Sequence, residues 1–452
     1  MSRTRNETES AFSAASTGVS SVDPLITTEN VFGERPHRAT SITPEQALIH
    51  LIKVMMGTGM LSLPLAFKYS GLWLGIFLLI VMCAVSTYCC RQLVYSSHYI
   101  SRRKGQDRID YANVMRGAVE VGPAWIRDYG YAAKQLVNVN MFVAQLGFCC
   151  VYFVFMADNL KQFFDETSEI HISQAGWIAL LLIPILGLCT IRHLKVLAPL
   201  ALMANIVYII AISIVFGYIF THLKPTNTVP AVGDWRDLPL FFGTVMFAFE
   251  GIAVVLPIEN QMDIPQHFIS SNGVLNTACL LVLAVYSAMG FYGYLAFGDT
   301  VMDTVTLNLP NQGFYQAIKI MFVGCILVSY PLQFYVPIER VEKWISRKIS
   351  EDRQNFMVYF LRYLMVIFTC LLAELIPHLA LFISLVGSLA GAALALLFPP
   401  LIELLCFYGQ KRLTPVVWIR NVILMSFGFL GFTTGTYASL RQIILVFGKP
   451  DV

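Results

Sequence analysis

Charged residues are scarce in this chain. Asp, Glu, Lys and Arg make up 13% of it, about half the share of an average soluble protein. With 56% of residues hydrophobic, a water-exposed fold would carry apolar patches far larger than soluble monomers tolerate, so lipid surrounds most of the surface. An excess of one sign is also absent. The 31 Lys and Arg stand against 28 Asp and Glu, a formal net charge of +3 over 452 residues, which cannot hold a phosphate backbone and excludes nucleic acid as a partner. Cysteine is missing from the polar loops. All ten (Cys83, Cys89, Cys90, Cys149, Cys150, Cys189, Cys279, Cys325, Cys370 and Cys406) fall in apolar stretches, so no loop disulfide is expected. A hydrolase elbow, a metal-ligand cluster, a P-loop and a Gly-rich dinucleotide turn are all lacking on any element that could use them. The chain is therefore not expected to be an enzyme or to hold a metal or cofactor.

What is present is a polar head followed by a series of apolar runs. Residues 1–43 are Ser/Thr-rich with no hydrophobic periodicity, the composition of a disordered tail, here expected to be cytosolic. A helix is expected from Thr43, which can cap, with Pro44 in the first helical position and Glu45 at the positive end of the dipole. The first apolar run is too long for a cleaved signal segment and stays in the mature chain. Counting runs of roughly 20 residues gives about eleven spans, near 45–69, 71–95, 130–158, 174–191, 196–221, 239–262, 272–297, 314–338, 357–376, 380–407 and 417–440. The transmembrane domain is thus 44–448, an all-α integral membrane protein. Arg102, Arg103, Lys104, Arg108, Arg192, Lys195, Arg340, Lys343, Arg347, Lys348, Arg353, Lys411 and Arg412 all fall on one set of alternate loops. The other set holds little beyond Lys68, Lys161, Lys224 and Arg236, which predicts a cytosolic N-terminus and a C-terminus on the opposite side.

Two spans are interrupted at their middles. The first carries Gly57-Thr58-Gly59-Met60, and the sixth carries Gly243-Thr244-Val245-Met246 followed by Phe247, Phe249, Glu250 and Gly251. Freed backbone groups survive at membrane depth only beside a cavity, so paired interruptions predict discontinuous helices one and six lining a site. Spans one to five and six to ten would then be a 5+5 inverted repeat, with the eleventh appended. The alternative is that these glycines only let helices pack closely. A broken helix offers free carbonyls at one end and free amides at the other. The amides around Thr58, Gly59 and Met60 suit an α-carboxylate, and carbonyls near Phe247 to Glu250 suit an ammonium group. Phe247, Phe249 and Tyr335 lie where they could close over a ligand.

Two titratable groups stand out. His50 is read as the histidine placed well within a span, seven residues before Gly57 and on its helical face together with Lys53; an imidazole titrates near neutral pH when unperturbed. Its alternative role is a structural hydrogen bond to a neighbouring helix. Glu250 is a carboxylate at mid-membrane, where a charge costs at least ~2.5 kcal/mol unless paired, solvated or protonated. It suits proton coupling, or else a structural pairing with Lys53 or backbone amides. Glu259, Glu374 and Glu403 are read as interfacial and left out of the site.

At these residues the sequence resembles the proton-coupled amino acid transporters of the amino acid/auxin permease group, over about residues 45–440. The stretches that carry the likeness are His50-Leu51-Ile52-Lys53 with Gly57-Thr58-Gly59 and Leu63-Pro64-Leu65-Ala66; Gln145-Leu146-Gly147-Phe148-Cys149; Phe241 to Gly251 followed by Val255-Leu256-Pro257-Ile258-Glu259-Asn260-Gln261-Met262; and Gln333-Phe334-Tyr335-Val336-Pro337. The resemblance implies a LeuT-like fold and transport of small neutral amino acids such as glycine, alanine or proline with protons, His50 and Glu250 taking the coupling roles. Relatives serve at the plasma membrane or the lysosome. The chain departs from some of them in having no cysteine in the outward loops and no glycosylation sequon beyond Asn6-Glu7-Thr8 in the tail. Two other readings stand beside this one: sodium coupling on the same fold, and a lysosomal amino acid sensor whose tail recruits cytosolic signalling partners.

Overall fold

A computed structural model describes residues 41–447 except 169–170, 192–193, 349–350 and 377. Nearly all of the polar tail, Arg192, the side chains of Lys195, Lys343, Arg347 and Lys348, and residue 448 lie outside the described residues.

The first helix, Pro44–Met55, starts as expected. The Thr43 hydroxyl accepts from the Gln46 amide, and the Gln46 side chain accepts from the Thr43 amide at 3.1 Å, closing a capping box. Among the described residues nine helices are long and apolar enough to cross a membrane. The first span falls outside that set because it is broken, and the fourth, Gln174–Cys189, because it has only 16 residues. With these two, the described residues form eleven apolar crossings, as expected.

Several elements run further than their apolar stretches. The second span extends to Lys104 and the third to Thr167. The reason is that one face stays buried past the hydrocarbon: Ser96, Ser97, His98, Ile100 and Ser101 are all buried. Between these spans lies an amphipathic helix, Tyr111–Val121, capped by Asp110, whose carboxylate accepts from the Asn113 amide at 2.8 Å. The tenth span contains two π-helical segments, Gly387–Gly391 and Ala393–Leu397.

The first and sixth spans are tied together at both ends. At one end the Ile42 amide donates to the Gln261 carbonyl at 3.0 Å, joining the start of span one to the end of span six. At the other, the Gly233 amide donates to the Ser70 carbonyl at 2.8 Å and the Leu72 amide to the Pro230 carbonyl at 3.0 Å. Gly71 holds this turn at a φ of 82°, a left-handed conformation that favours glycine. The two spans are therefore antiparallel, as the leading helices of inverted repeats must be. With both discontinuous and both central, the arrangement is LeuT-like. The sixth and tenth spans are mostly buried, whereas the eleventh leaves Ile423, Phe429, Leu430, Tyr437 and Ile444 exposed to lipid.

Candidate functional site

The break in the first span begins after Met55. Gly57 is extended, at φ −107° and ψ −158°. A single helical turn, Thr58–Leu61, follows, and the span resumes as Leu63–Ser70. In the sixth span the helix Leu238–Ala248 ends, Phe249 to Gly251 are unwound, and Ile252–Glu259 completes the crossing. Among the described residues, the amides of Thr58, Gly59, Ile252 and Ala253 make no hydrogen bond. The two breaks touch. A Cβ added at Gly59 would lie 2.7 Å from the Ala248 Cα, and one added at Gly251 would lie 3.0 Å from the Met55 Cγ.

Two tyrosines that the sequence did not single out occupy carbonyls at these breaks. The Tyr286 hydroxyl, on the fully buried face of the seventh span, donates to the carbonyl of Met55 and to that of Ala248, the latter at 2.8 Å. These are the last helical carbonyls before each break. Tyr208 of the fifth span donates to the Gly57 carbonyl at 3.2 Å. Part of the negative end expected to receive an ammonium group is thus already satisfied. The available signal was a lone tyrosine inside an apolar run, whose hydroxyl needs a partner when buried.

The expected site residues divide into two sets. Thr58, Gly59 and Met60 are buried at the first break, and Phe247, Phe249, Glu250 and Gly251 lie at the second. Phe247 packs on Phe148 with ring centres 4.7 Å apart, and Phe249 packs on Tyr286 at 5.1 Å. Beside Gly57 there is open space, since an added Cβ would meet nothing within 4 Å. Both carboxyl oxygens of Glu250 are buried and find no hydrogen-bond partner among the described residues. They lie close to the first π segment of span ten: a Cβ added at Gly391 would be 3.6 Å from Glu250 Oε2.

The other expected residues lie on helices outside the unwound segments. Gly243 backs directly onto Ser384 of the tenth span, the close approach that small residues permit. The Thr244 hydroxyl donates to the Leu240 carbonyl at 2.9 Å within its own helix. Tyr335 is half-buried on the eighth span and makes no hydrogen bond among the described residues. Its neighbour Gln333 donates to Gln145 of the third span at 2.6 Å, so two of the stretches quoted above meet there. His50 and Lys53 are exposed on the first half of span one, and no hydrogen bond of the His50 ring is found among the described residues.

Two acids read as interfacial are buried. Glu259 is fully buried and pairs with His98 Nε2 at 2.7 Å. His98 went unrecognised because the second span was ended at 95, short of its true helix. Glu403 is also buried, and its Oε2 accepts from Gln92, Arg420 and Asn421 at 2.7, 2.7 and 2.8 Å. Neither acid touches the breaks; each braces a junction between helices.

Residues 40–441 match the model of the transmembrane amino acid transporter protein family. The chain is similar to the proton-coupled amino acid transporter-like protein pathetic of Drosophila melanogaster, with 31% identity over 421 residues covering 92% of this chain and 88% of that protein. It is similar too to the probable amino acid transporter skat-1 of Caenorhabditis elegans, with 28% identity over 427 residues covering 91% and 92% of the two. Among solved structures, similarity is found to Mhp1, a nucleobase-cation-symport-1 family transporter with bromovinylhydantoin bound (TM-score 0.49, 12% identity, 92% of this chain and 94% of that one). MhsT in complex with L-phenylalanine is another (TM-score 0.44, 15% identity, 91% and 99%). The family match over nearly the whole chain, together with the multi-pass helical architecture, makes this a multi-pass membrane protein belonging to the transmembrane amino acid transporter family.

Proposed function

We propose that the protein is a secondary active transporter that moves small neutral amino acids together with protons through a site at the paired breaks. The observation that carries this reading is Glu250: a buried carboxylate that finds no hydrogen-bond partner among the described residues, at one of two touching breaks. A buried carboxylate of that kind has to be met by a proton or by a cationic group of the ligand. Free amides at Thr58 and Gly59 suit the carboxylate of an amino acid, and Gly57 leaves room beside them. The aromatic rings of Phe247 and Phe249, already packed on Phe148 and Tyr286, favour a small side chain over a bulky one.

His50 takes the second coupling role. It is exposed and has no hydrogen-bonded neighbour among the described residues, which favours a group in contact with water on the way to the site over a bracing role. Gly243, Thr244 and Tyr335 stand further from the ligand, as supports of the sixth and eighth spans. With the cation-rich loops inside, the N-terminus is cytosolic and the C-terminus opposite, in a plasma or lysosomal membrane, with the polar tail of 1–43 as a separate segment and 44–448 as the transporter domain.

The test is flux into proteoliposomes of labelled glycine, alanine, proline and tryptophan under imposed pH or sodium gradients. Accumulation of the three small substrates under a pH gradient without sodium supports the proposal. Uptake that needs sodium at fixed pH overturns the proton assignment, and preference for tryptophan overturns the size assignment. Substrate binding without flux, with partner capture that depends on the tail, would favour the sensor.

A further inference from the structure

At one end of the bundle the second, tenth and eleventh spans enclose a cavity of about 630 Å³, none of whose lining residues belongs to the paired breaks. Arg91, Arg102, Arg103, Arg412 and Arg420 line it, against one carboxylate, Glu403. That single acid is already engaged. Arg420, Gln92 and Asn421 all donate to its Oε2, and the Arg420 guanidinium lies 5.2 Å from the centre of the Tyr88 ring. Arg91, Arg102 and Arg103 make no ion pair among the described residues. Arg91 reaches only the Ile269 carbonyl, at 3.1 Å, and Arg103 only the Tyr99 hydroxyl, at 3.3 Å. The Nε groups of Arg91 and Arg420 are buried and unpartnered.

Helix electrostatics explain part of this. Arg102 and Arg103 sit in the last turn of the second span, where the dipole favours cations. Arg91 lies three turns earlier, and Arg420 lies near the start of the eleventh helix, where the dipole disfavours them. Five guanidinium groups around one hollow suit a polyanion.

We infer that this cavity binds a phosphorylated inositol headgroup, a ring bearing more than one phosphate. Guanidinium groups pair with phosphate oxygens through two parallel hydrogen bonds, and several phosphates on one ring match an excess of four positive charges. The volume suits a headgroup of that size. Tyr88, Tyr95 and Tyr99 also line the cavity and add phenolic hydroxyls that can donate to phosphate oxygens. In the orientation proposed above it opens at the cytosolic leaflet, where basic pockets between spans meet anionic lipid. The same chemistry is offered by a phosphoinositide of the membrane and by a free inositol phosphate.

The test uses the full-length protein in detergent, titrated with three probes: a short-chain phosphatidylinositol bisphosphate, inositol trisphosphate without tails, and a short-chain phosphatidylserine. The bisphosphate lipid binds, and Arg102→Gln with Arg103→Gln weakens it by about tenfold or more. Both side chains are exposed, so the thermal midpoint and amino acid binding stay unchanged. Arg91→Gln weakens the lipid as well, while Lys411→Gln, outside the cavity lining, does not. Binding of inositol trisphosphate as tight as that of the lipid assigns the site to the free phosphate; tighter binding of the lipid assigns it to the membrane. Equal affinity for phosphatidylserine, or an unchanged affinity in the double variant, overturns the site.

Discussion

Gly57 and Gly59 are two residues apart, and the structure separates their roles sharply enough to measure. At Gly59 an added Cβ would sit 2.7 Å from the Ala248 Cα, 3.0 Å from Phe247 Cδ1 and 3.1 Å from the Ala248 Cβ. The nearest of these is backbone and cannot rotate away, so Gly59→Ala forces the two broken spans apart, an overpacking that costs about 1–3 kcal/mol. At Gly57 the same methyl meets nothing within 4 Å, and the backbone is already extended. Gly57→Ala therefore leaves stability unchanged or raises it by about 0.4–1 kcal/mol through the unfolded state. If the open space is where the ligand lies, that methyl crowds it, and a similar overpacking of about 1–3 kcal/mol translates into affinity lower by roughly fivefold to 150-fold. Thermal unfolding of the purified variants and radioligand binding at equal protein give the two readouts. Parent-like affinity in Gly57→Ala would show that the space beside Gly57 belongs to no ligand, and a parent-like melting midpoint in Gly59→Ala would refute the close apposition of the breaks.

Tyr286→Phe removes the one hydroxyl that serves both Met55 and Ala248 carbonyls; leaving them unsatisfied costs about 1–3 kcal/mol, and an unchanged thermal midpoint would contradict this. His98→Ala and Glu259→Gln each destabilise by about 1–3 kcal/mol because each disturbs a buried hydrogen bond, and the double variant loses less than the sum; strict additivity would mean that the pair does not act as one. In His50→Ala the rise of uptake on acidifying the outward side flattens while substrate still binds; a pH profile identical to the parent, at equal protein in the membrane, removes His50 from the proton path.

The breaks were legible because glycine and threonine at mid-span have no place in a lipid-facing helix, and the touching of Gly59 with Ala248 and of Gly251 with Met55 follows from their matched positions. Gly243 and Thr244 repeat the Gly-Thr pattern of the first span but sit about a turn before the unwound residues, where the glycine packs closely on Ser384 and the hydroxyl donates to the Leu240 carbonyl. Tyr208 and Tyr286 were hidden because an isolated tyrosine in an apolar run shows no period, and its carbonyl partners lie up to 231 positions away in the chain. His98 was misplaced for a different reason. Hydropathy marks where a helix leaves hydrocarbon, not where it stops being buried by its neighbours, and His98 lies in that difference. Glu403 lies within its expected span but close to its end, where a carboxylate reads as interfacial, and its partners Gln92 and Asn421 come from two other spans. The π segments of span ten leave no trace in composition, since Gly387–Leu397 reads as an ordinary apolar helix.

Proton coupling through Glu250 is tested most directly by the movement of protons that substrate alone provokes. Proteoliposomes carrying a pH-sensitive dye, at equal pH on both sides and without sodium, are given external glycine. The account predicts acidification of the lumen by the parent protein, and none by Glu250→Gln, which keeps the shape of the side chain but cannot take up a proton and which still exchanges labelled glycine for unlabelled. Substrate-driven acidification by Glu250→Gln equal to that of the parent would contradict it.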